Sequence, residues 1–355
     1  MPEIAMIHRA EHPHPAHEGF AEAIGADILS LSEYSIPGGV GRHSIPEEII
    51  NGPLLSDYDI FISEGTRALY GSLAKRLTSD STLIYLVGDH DLYQLTDDSY
   101  QPESTLNRLI SEYGIDVLSA VFDRYIDGCM VISEFTGSCV ETVLTDKPYR
   151  IAHPYIQPSV YRTLEHVSPN LESKTAVTVG SYSYYKGQDL LVDAWESVRE
   201  AHPGAELKLV GTGYPPEFQS VPGVTVAGYV ENLADAFEGC SLYVQPSRAD
   251  GFGVSVVEAM HSGLPAIVTT TTGSKSEVER VSSDLITDPS RDAIANAISA
   301  YFSRDFDARC RLSQAAQKRG SKFDCESRKD EFRSQFDELV SDISGSAPIR
   351  NVDQA

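Results

Sequence analysis

Residues 242–269 read LYVQPSRADGFGVSVVEAMHSGLPAIVT. Leu242–Gln245 is a short apolar run closed by a polar residue, the pattern of a buried strand. Val254–Ser262 follows as a helix, and Ala266–Thr269 is a second buried strand. Strand, glycine loop, helix and strand in so short a span make one βα unit of a parallel sheet.

The same rhythm extends on both sides. Upstream, Ala176–Val179, Glu206–Val210 and Val224–Ala227 read as strands, with helices over Gly187–Glu200 and Leu233–Phe237. In the first half, apolar runs at Ile4–Ile7, Asp59–Ser63, Thr82–Val87 and Cys129–Ser133 each lead into a polar or glycine-containing turn. Between the halves lies HPYIQPSVYRTLEHVSPNLESK, residues 153–174, where prolines break the periodicity. The fold class expected is α/β, with two Rossmann-like, doubly wound domains facing across a cleft. The division expected is 1–155 for the first domain and 170–322 for the second. A last helix near 325–342 packs back on the first, and 343–355 form a flexible tail.

The charge is one-sided. Asp and Glu total 52 against 28 Lys and Arg, a formal net charge of −24 over 355 residues. Such acid, spread along the whole chain, suits solubility in concentrated salt, where repulsion is screened within ~3 Å at 1 M. The expectation is a halophilic, archaeal cytoplasm. Broad acidity argues against nucleic acid as a partner and against anionic membrane bound through basic patches. Five cysteines with no zinc spacing read as free thiols. There is no recognisable signal segment and no apolar stretch of the roughly 18 residues a span needs, so membrane contact would be peripheral.

In doubly wound sheets, ligands sit beyond the carboxyl ends of the strands, so the turns there are the places to look. In VGSYSYYKGQDLL, residues 179–191, Lys186 stands at a helix start. A cation there opposes the helix dipole unless an anion is also present, and a phosphate resolves the conflict. In LVGTGY, residues 209–214, Gly211 and Gly213 allow a close backbone approach. In the opening stretch, Gly251 and Gly253 precede a helix whose N-terminus suits a diphosphate. Glu258, early in that helix, can accept two hydrogen bonds from ribose hydroxyls, and Asp250 can do the same for a sugar. Taken singly, a surface lysine, a capping aspartate and a solvated glutamate explain these residues as well. The ordered set points to a nucleotide sugar.

These segments together resemble glycosyltransferase family 4, the retaining enzymes of GT-B fold. VGSYSYYKGQDLLVDAW resembles its Lys-Gly segment, LKLVGTGY its glycine turn, DGFGVSVVEAM its paired-acid motif and LPAIVTTTTGSKSEV the strand and loop after it. The resemblance implies that Lys186 binds the donor diphosphate and Glu258 the ribose. Asp250, with the Phe252 and Gly253 backbone, would face the transferred sugar. It implies a UDP-sugar or GDP-sugar donor, no cofactor and no metal. The acceptor would be a hydroxyl on a glycan, glycolipid or lipid-linked saccharide, and the setting the cytoplasm or the inner face of the cell membrane. STLIYLVGDHDLYQL resembles the strand that ends at an active-site histidine, here His90 between Asp89 and Asp91. CMVISEFTG resembles a later strand ending at Ser133 and Glu134.

Two positions depart from the family. Asp250 stands where a Glu is usual, and Ser181 where an Arg usually pairs with the lysine. Arg248 or Lys275 is the candidate replacement for that charge. His8, His12, His14 and His17 crowd the loop after the first strand, and an acceptor-facing loop is the preferred reading over a metal site. The rival functions are an epimerase, a hydrolase using Asp250 and Glu258 as its acid pair, and a non-catalytic nucleotide-sugar-binding protein.

Overall fold

A computed structural model describes residues 2–8, 15–30, 58–76, 79–96, 115–144 and 146–346. The chain divides into two compact units, Met1–His153 with Lys329–Ala355, and Pro154–Arg328.

The first unit is built on six strands: β1 Ile4–His8, β2 Asp27–Ser30, β3 Ile60–Glu64, β4 Thr82–Val87, β5 Gly128–Val131 and β6 Tyr149–Ile151. They lie in the order β2-β1-β3-β4-β5-β6 and every pair is parallel. Helices on the faces cover apolar strands buried on both sides, which is why β4 and β5 read as unbroken apolar runs. Two short strands escape the apolar pattern. β2 is mostly exposed, and β6 carries Arg150 on the sheet edge. β5 ends at Val131 rather than Ser133, because Ser133 is the N-cap of the helix Glu134–Val143 and forms a capping box with Thr136. The last helix runs Cys325–Ser346, so it continues into the segment expected to be tail. Phe332 stacks on Phe20 at 4.2 Å, and Arg150 pairs with Asp342, so the helix is anchored by both packing and charge.

The second unit repeats the plan with β7 Thr175–Val179, β8 Glu206–Val210, β9 Val224–Gly228, β10 Leu242–Gln245, β11 Ala266–Thr269 and β12 Ile286–Thr287. Their order is β12-β11-β10-β7-β8-β9, again all parallel. Trp195, Tyr243, Tyr301 and Phe237 are completely or almost completely buried around this sheet. Burying each such side chain contributes roughly 1.5–3 kcal/mol.

The strand orders locate the candidate sites. From β7 the chain runs outward one way through β8 and β9, then returns to start the other side at β10. The reversal leaves a crevice at the carboxyl ends of β7 and β10. The loop 180–187 leaves one strand there and the loop 246–253 leaves the other. In the first unit the same reversal falls between β1 and β3.

Candidate functional site

At the β7/β10 crevice the two loops are fastened together. Lys186 Nζ lies 2.6 Å from Asp250 Oδ2. Asp250 is buried and also accepts from Gln245 Nε2 at 3.0 Å and from the Phe252 N–H at 3.3 Å. Lys186 keeps about a third of its side chain exposed, so an ammonium with three donors has N–H groups left for a ligand. Gly187 has φ +66°, and a Cβ there would sit 2.1 Å from the Pro246 carbonyl oxygen. Only glycine lets the Lys186 loop lie this close to the loop after β10.

Asp250 is further held by the next loop. Its N–H donates to the Thr271 carbonyl, its carbonyl accepts from Gly273, and the Phe252 carbonyl accepts from Ser274. The Phe252 ring is buried against Phe323 with centroids 5.7 Å apart, so this residue anchors the loop rather than presenting its side chain. Its N–H is taken by Asp250 and is not bared to a ligand, contrary to the expectation for this stretch.

The glycine loop opens the helix Val254–His261 with Gly253 at φ +78° as its N-cap. Among the described residues, the N–H groups of Gly253, Val254 and Ser255 have no acceptor. Three orphan donors at a helix start attract an anion. Glu258 lies one turn further along and is half-buried. No hydrogen bond or ion pair holds its carboxyl among the described residues, and burial pushes its pKa up to about 7. Desolvation disfavours the charge, and no partner restores it.

Of the glycines after β8, Gly211 has a protein group against it and Gly213 has space. Gly211 does permit a close approach, but the group that approaches is the Gly180 carbonyl, 2.1 Å from where a Cβ would be. Ser181 Oγ lies 3.0 Å from Thr212 Oγ1, the Tyr182 N–H donates to the Thr212 carbonyl, and the Tyr214 hydroxyl donates to the Gly180 carbonyl. Gly211 thus ties the loop after β7 to the loop after β8. Gly213, at φ +80°, has only the Tyr182 Cβ near it, at 3.9 Å.

Arg248, a candidate replacement for the arginine missing at Ser181, is engaged by groups of the neighbouring loop and helix. Its guanidinium makes two hydrogen bonds to Asp189, at 2.8 and 2.6 Å, and a third to the Tyr184 carbonyl at 2.8 Å. The Asp189 hydrogen bonds raise its pKa above the ordinary arginine value. Lys275 begins the helix Lys275–Glu279 beside the Gly273 and Ser274 contacts, and no partner holds its ammonium among the described residues.

Several supporting residues carried no signal as a motif. Gln188, buried, donates to the Ser181 carbonyl and accepts from the Ser183 N–H. Tyr243 Oη lies 2.7 Å from Gln245 Oε1 and 2.8 Å from Ser255 Oγ, and Gln245 passes the connection on to Asp250. The one clue was a glutamine closing an otherwise apolar strand.

His90 belongs to the first unit, in the bend after β4. The neighbouring Asp89 accepts from the Asp91 N–H and so caps the helix Asp91–Thr96. Burial and the charge of Asp91 push the Asp89 carboxyl up to about 7. At the β1/β3 reversal His17 Nδ1 lies 2.5 Å from Glu64 Oε1, while buried His8 ends β1. His12 and His14 lie outside the described residues. Among the described residues, no three His, Cys, Asp or Glu side chains are grouped to hold a metal, and no helix is long and apolar enough to cross a membrane.

Known proteins share this architecture. Sucrose-phosphate synthase from Thermosynechococcus elongatus superposes with TM-score 0.72 at 17% identity, over 98% of this chain and 100% of that one. A glycosyltransferase structure from Rickettsia africae superposes with TM-score 0.66 at 12% identity, over 98% and 99%. HepE from Anabaena, in a crystal with UDP and glucose, gives TM-score 0.68 at 16% identity, over 96% and 100%. Curated relatives match in a shorter stretch. An uncharacterized glycosyltransferase of Haemophilus influenzae is 31% identical over 105 residues, 27% of this chain and 30% of that protein. Mannosylfructose-phosphate synthase of Agrobacterium fabrum is 32% identical over 116 residues, 28% of this chain and 26% of that protein. The matched stretch thus spans less than a third of either curated relative. Residues 173–304, which hold every loop of the β7/β10 crevice, match the family described as Glycosyl transferases group 1, and the two parallel six-stranded sheets are the two domains of a GT-B fold.

Proposed function

We propose that the protein is a retaining glycosyltransferase that moves a sugar from a UDP-sugar or GDP-sugar to a hydroxyl acceptor. The observation that carries this reading is Glu258. A carboxyl that is half-buried and, among the described residues, without a partner, one helical turn from three N–H groups likewise unpaired there, is set to receive hydroxyls beside a phosphate. The family match over residues 173–304 supports it. So does the shared fold with HepE, which was crystallised with UDP and glucose.

In the proposed step the acceptor oxygen bonds to the anomeric carbon as the carbon–oxygen bond to the diphosphate breaks. The acceptor's proton passes to the departing phosphate oxygen on the same face, and nucleoside diphosphate leaves. Lys186 and the helix start at Gly253 offset the charge that gathers on the diphosphate. Asp250 faces the transferred sugar while holding Lys186. The step calls for neither a metal nor a dedicated protein base. The acceptor is a glycan, a glycolipid or a lipid-linked saccharide, met in the cytoplasm or at the inner face of the membrane.

A second reading is a protein that binds the nucleotide sugar without transferring it. It is favoured by the charges at the site: Lys186 and Arg248 are each paired with a carboxylate, and Ser181 supplies none.

The test is a melting curve in molar salt, as the acidic composition calls for, with UDP, GDP, ADP or no ligand. A ligand at a hundred times its dissociation constant adds about 2.7 kcal/mol. A shift with one nucleotide that is lost in Glu258→Ala supports the donor site. The matching nucleotide sugar, incubated with hydroxyl acceptors, then separates transfer from binding alone. No shift with any nucleotide overturns the donor site.

A further inference from the structure

We propose that Arg248 is a positioning residue that clamps the loop 183–187 onto the loop 246–250 and thereby sets Lys186 against Asp250. The inference rests on the donor-site reading for its functional meaning, but its structural content stands apart.

Arg248 is the point where the two loops join most densely. Its own N–H donates to the Tyr185 carbonyl at 2.8 Å, and the Ala249 N–H donates to the same carbonyl at 3.3 Å. Its side chain grips the other loop at two further places, the Tyr184 carbonyl and both oxygens of Asp189. The guanidinium carbon lies 4.3 Å from the centroid of the Tyr184 ring, so that ring, 47% exposed, is held flat by the arginine. Asp189 sits in the first turn of the helix Gln188–Ala201, which starts directly after Lys186 and Gly187. The fork therefore fastens residues on both sides of Lys186. A planar guanidinium can make the paired bonds and the stacked contact at once, and an ammonium cannot. With Asp189 and the Tyr184 carbonyl taking three of its five N–H donors, Arg248 acts on a donor through Lys186 rather than by touching it.

The experiment reads the position of Lys186 directly. The intact protein is treated with an amine-acetylating reagent, and the rate of modification at Lys186 is followed by peptide mass spectrometry. Lys208, whose ammonium is held by the Asp235 and Ala236 carbonyls, serves as the internal reference. Arg248→Ala and Asp189→Ala should each raise labelling at Lys186 several-fold with Lys208 unchanged. The double variant should go no further than either single one, because both break one link. Arg248→Lys should behave nearly as Arg248→Ala, since it keeps the charge and loses the fork. It also covers the case in which the alanine variant fails to fold. Unaltered Lys186 labelling in Arg248→Ala and Arg248→Lys would overturn the clamp.

UDP and GDP titrations separate the clamp from a direct contact. Under the clamp, Arg248→Ala and Asp189→Ala both weaken binding on the order of tenfold, the loss of one or two charge-assisted hydrogen bonds. If Asp189→Ala instead leaves binding unchanged or tightens it while Arg248→Ala weakens it, Arg248 is a direct ligand and the proposal fails. If neither nucleotide binds the unaltered protein, the donor-site reading falls and the labelling arm still decides the clamp.

Discussion

Lys186 Nζ and Asp250 Oδ2 meet at 2.6 Å across 64 residues of sequence, on the two loops that leave β7 and β10. The pair sits where the strand order of the second sheet reverses, and it closes a chain of contacts that begins at Tyr243 and runs through Gln245. A cation placed near a helix start is unfavourable by itself. Asp250 resolves that cost in the absence of ligand, and a diphosphate would resolve it in the presence of one.

Replacing Lys186 with Ala should therefore act twice. Turnover should fall on the order of 10²–10³-fold, the loss expected when one preorganised donor to the leaving group is removed. Stability should fall by about 1–3 kcal/mol, because buried Asp250 loses a charged partner and keeps only Gln245 and the Phe252 N–H. Urea unfolding and initial rates with the donor found in the melting test check the two effects separately. Near-normal turnover would remove Lys186 from the chemistry.

Glu258 predicts a pH dependence. Its carboxyl is raised from 4.5 to about 7 by burial. The folded state therefore holds this proton more tightly than the unfolded chain. Between about pH 4.5 and 7 the native state binds more protons, so this group makes stability fall as pH rises, and the fall levels off above 7. The full shift would correspond to about 3 kcal/mol, and solvent reaching a half-buried group brings it nearer ~1 kcal/mol. Urea midpoints at pH 5 and pH 8 should converge in Glu258→Gln relative to the unaltered protein. Nucleotide binding runs the other way. Ribose hydroxyls favour the charged acceptor, so affinity should rise through pH 7 in the unaltered protein more than in the variant.

Two glycines with nearly the same backbone should respond differently to Ala. Gly187 at φ +66° has the Pro246 carbonyl oxygen 2.1 Å from its would-be Cβ, while Gly228 at φ +75° has nothing within 4 Å. Gly228→Ala should cost only the left-handed conformation, about 1–2 kcal/mol. Gly187→Ala should cost more and should part the two loops, so that Lys186 labelling and nucleotide affinity change together. Equal losses in the two variants would mean that the loops are not in contact.

The strands and the loops after them were legible because burial writes itself into sequence. β4, β10 and β11 are read with their observed boundaries, since a strand covered on both faces is apolar almost throughout. β2 and β6 were not seen, because edge strands are half exposed and mix polar with apolar residues. Within the site, the glycine loop and Glu258 could be found from local order alone. The Lys186–Asp250 pair and the engagement of Arg248 by Asp189 could not. They join residues distant in sequence, and a lone Asp189 in a helix reads as solvated surface. Gly211 is ambiguous for a related reason: sequence shows that something must come close, not whether it is a ligand or the Gly180 carbonyl.

Asp250→Asn offers the sharpest separation of binding from chemistry. The amide can keep its oxygen on the Phe252 N–H and donate to Gln245 after a flip of the Gln245 amide, so the loop should stay folded. What disappears is the charge on which Lys186 rests. A unit charge 4 Å away at the effective dielectric of a protein surface is worth about 4 kcal/mol before solvent and salt reduce it. Lys186 is then released to the diphosphate without having to leave a carboxylate. Because Arg248 still fastens the loop 183–187 in this variant, unlike in Arg248→Ala, only the ammonium is freed and its backbone stays in place, so UDP or GDP should bind several-fold more tightly, and the gain should shrink in molar salt. Turnover should nevertheless fall, because the group placed against the transferred sugar has lost its negative charge. Tighter nucleotide binding with slower transfer, read by calorimetry and by initial rates, would show that one carboxylate both restrains the lysine and serves the sugar. Weaker nucleotide binding would show instead that Asp250 is needed to hold Lys186 in place for the diphosphate.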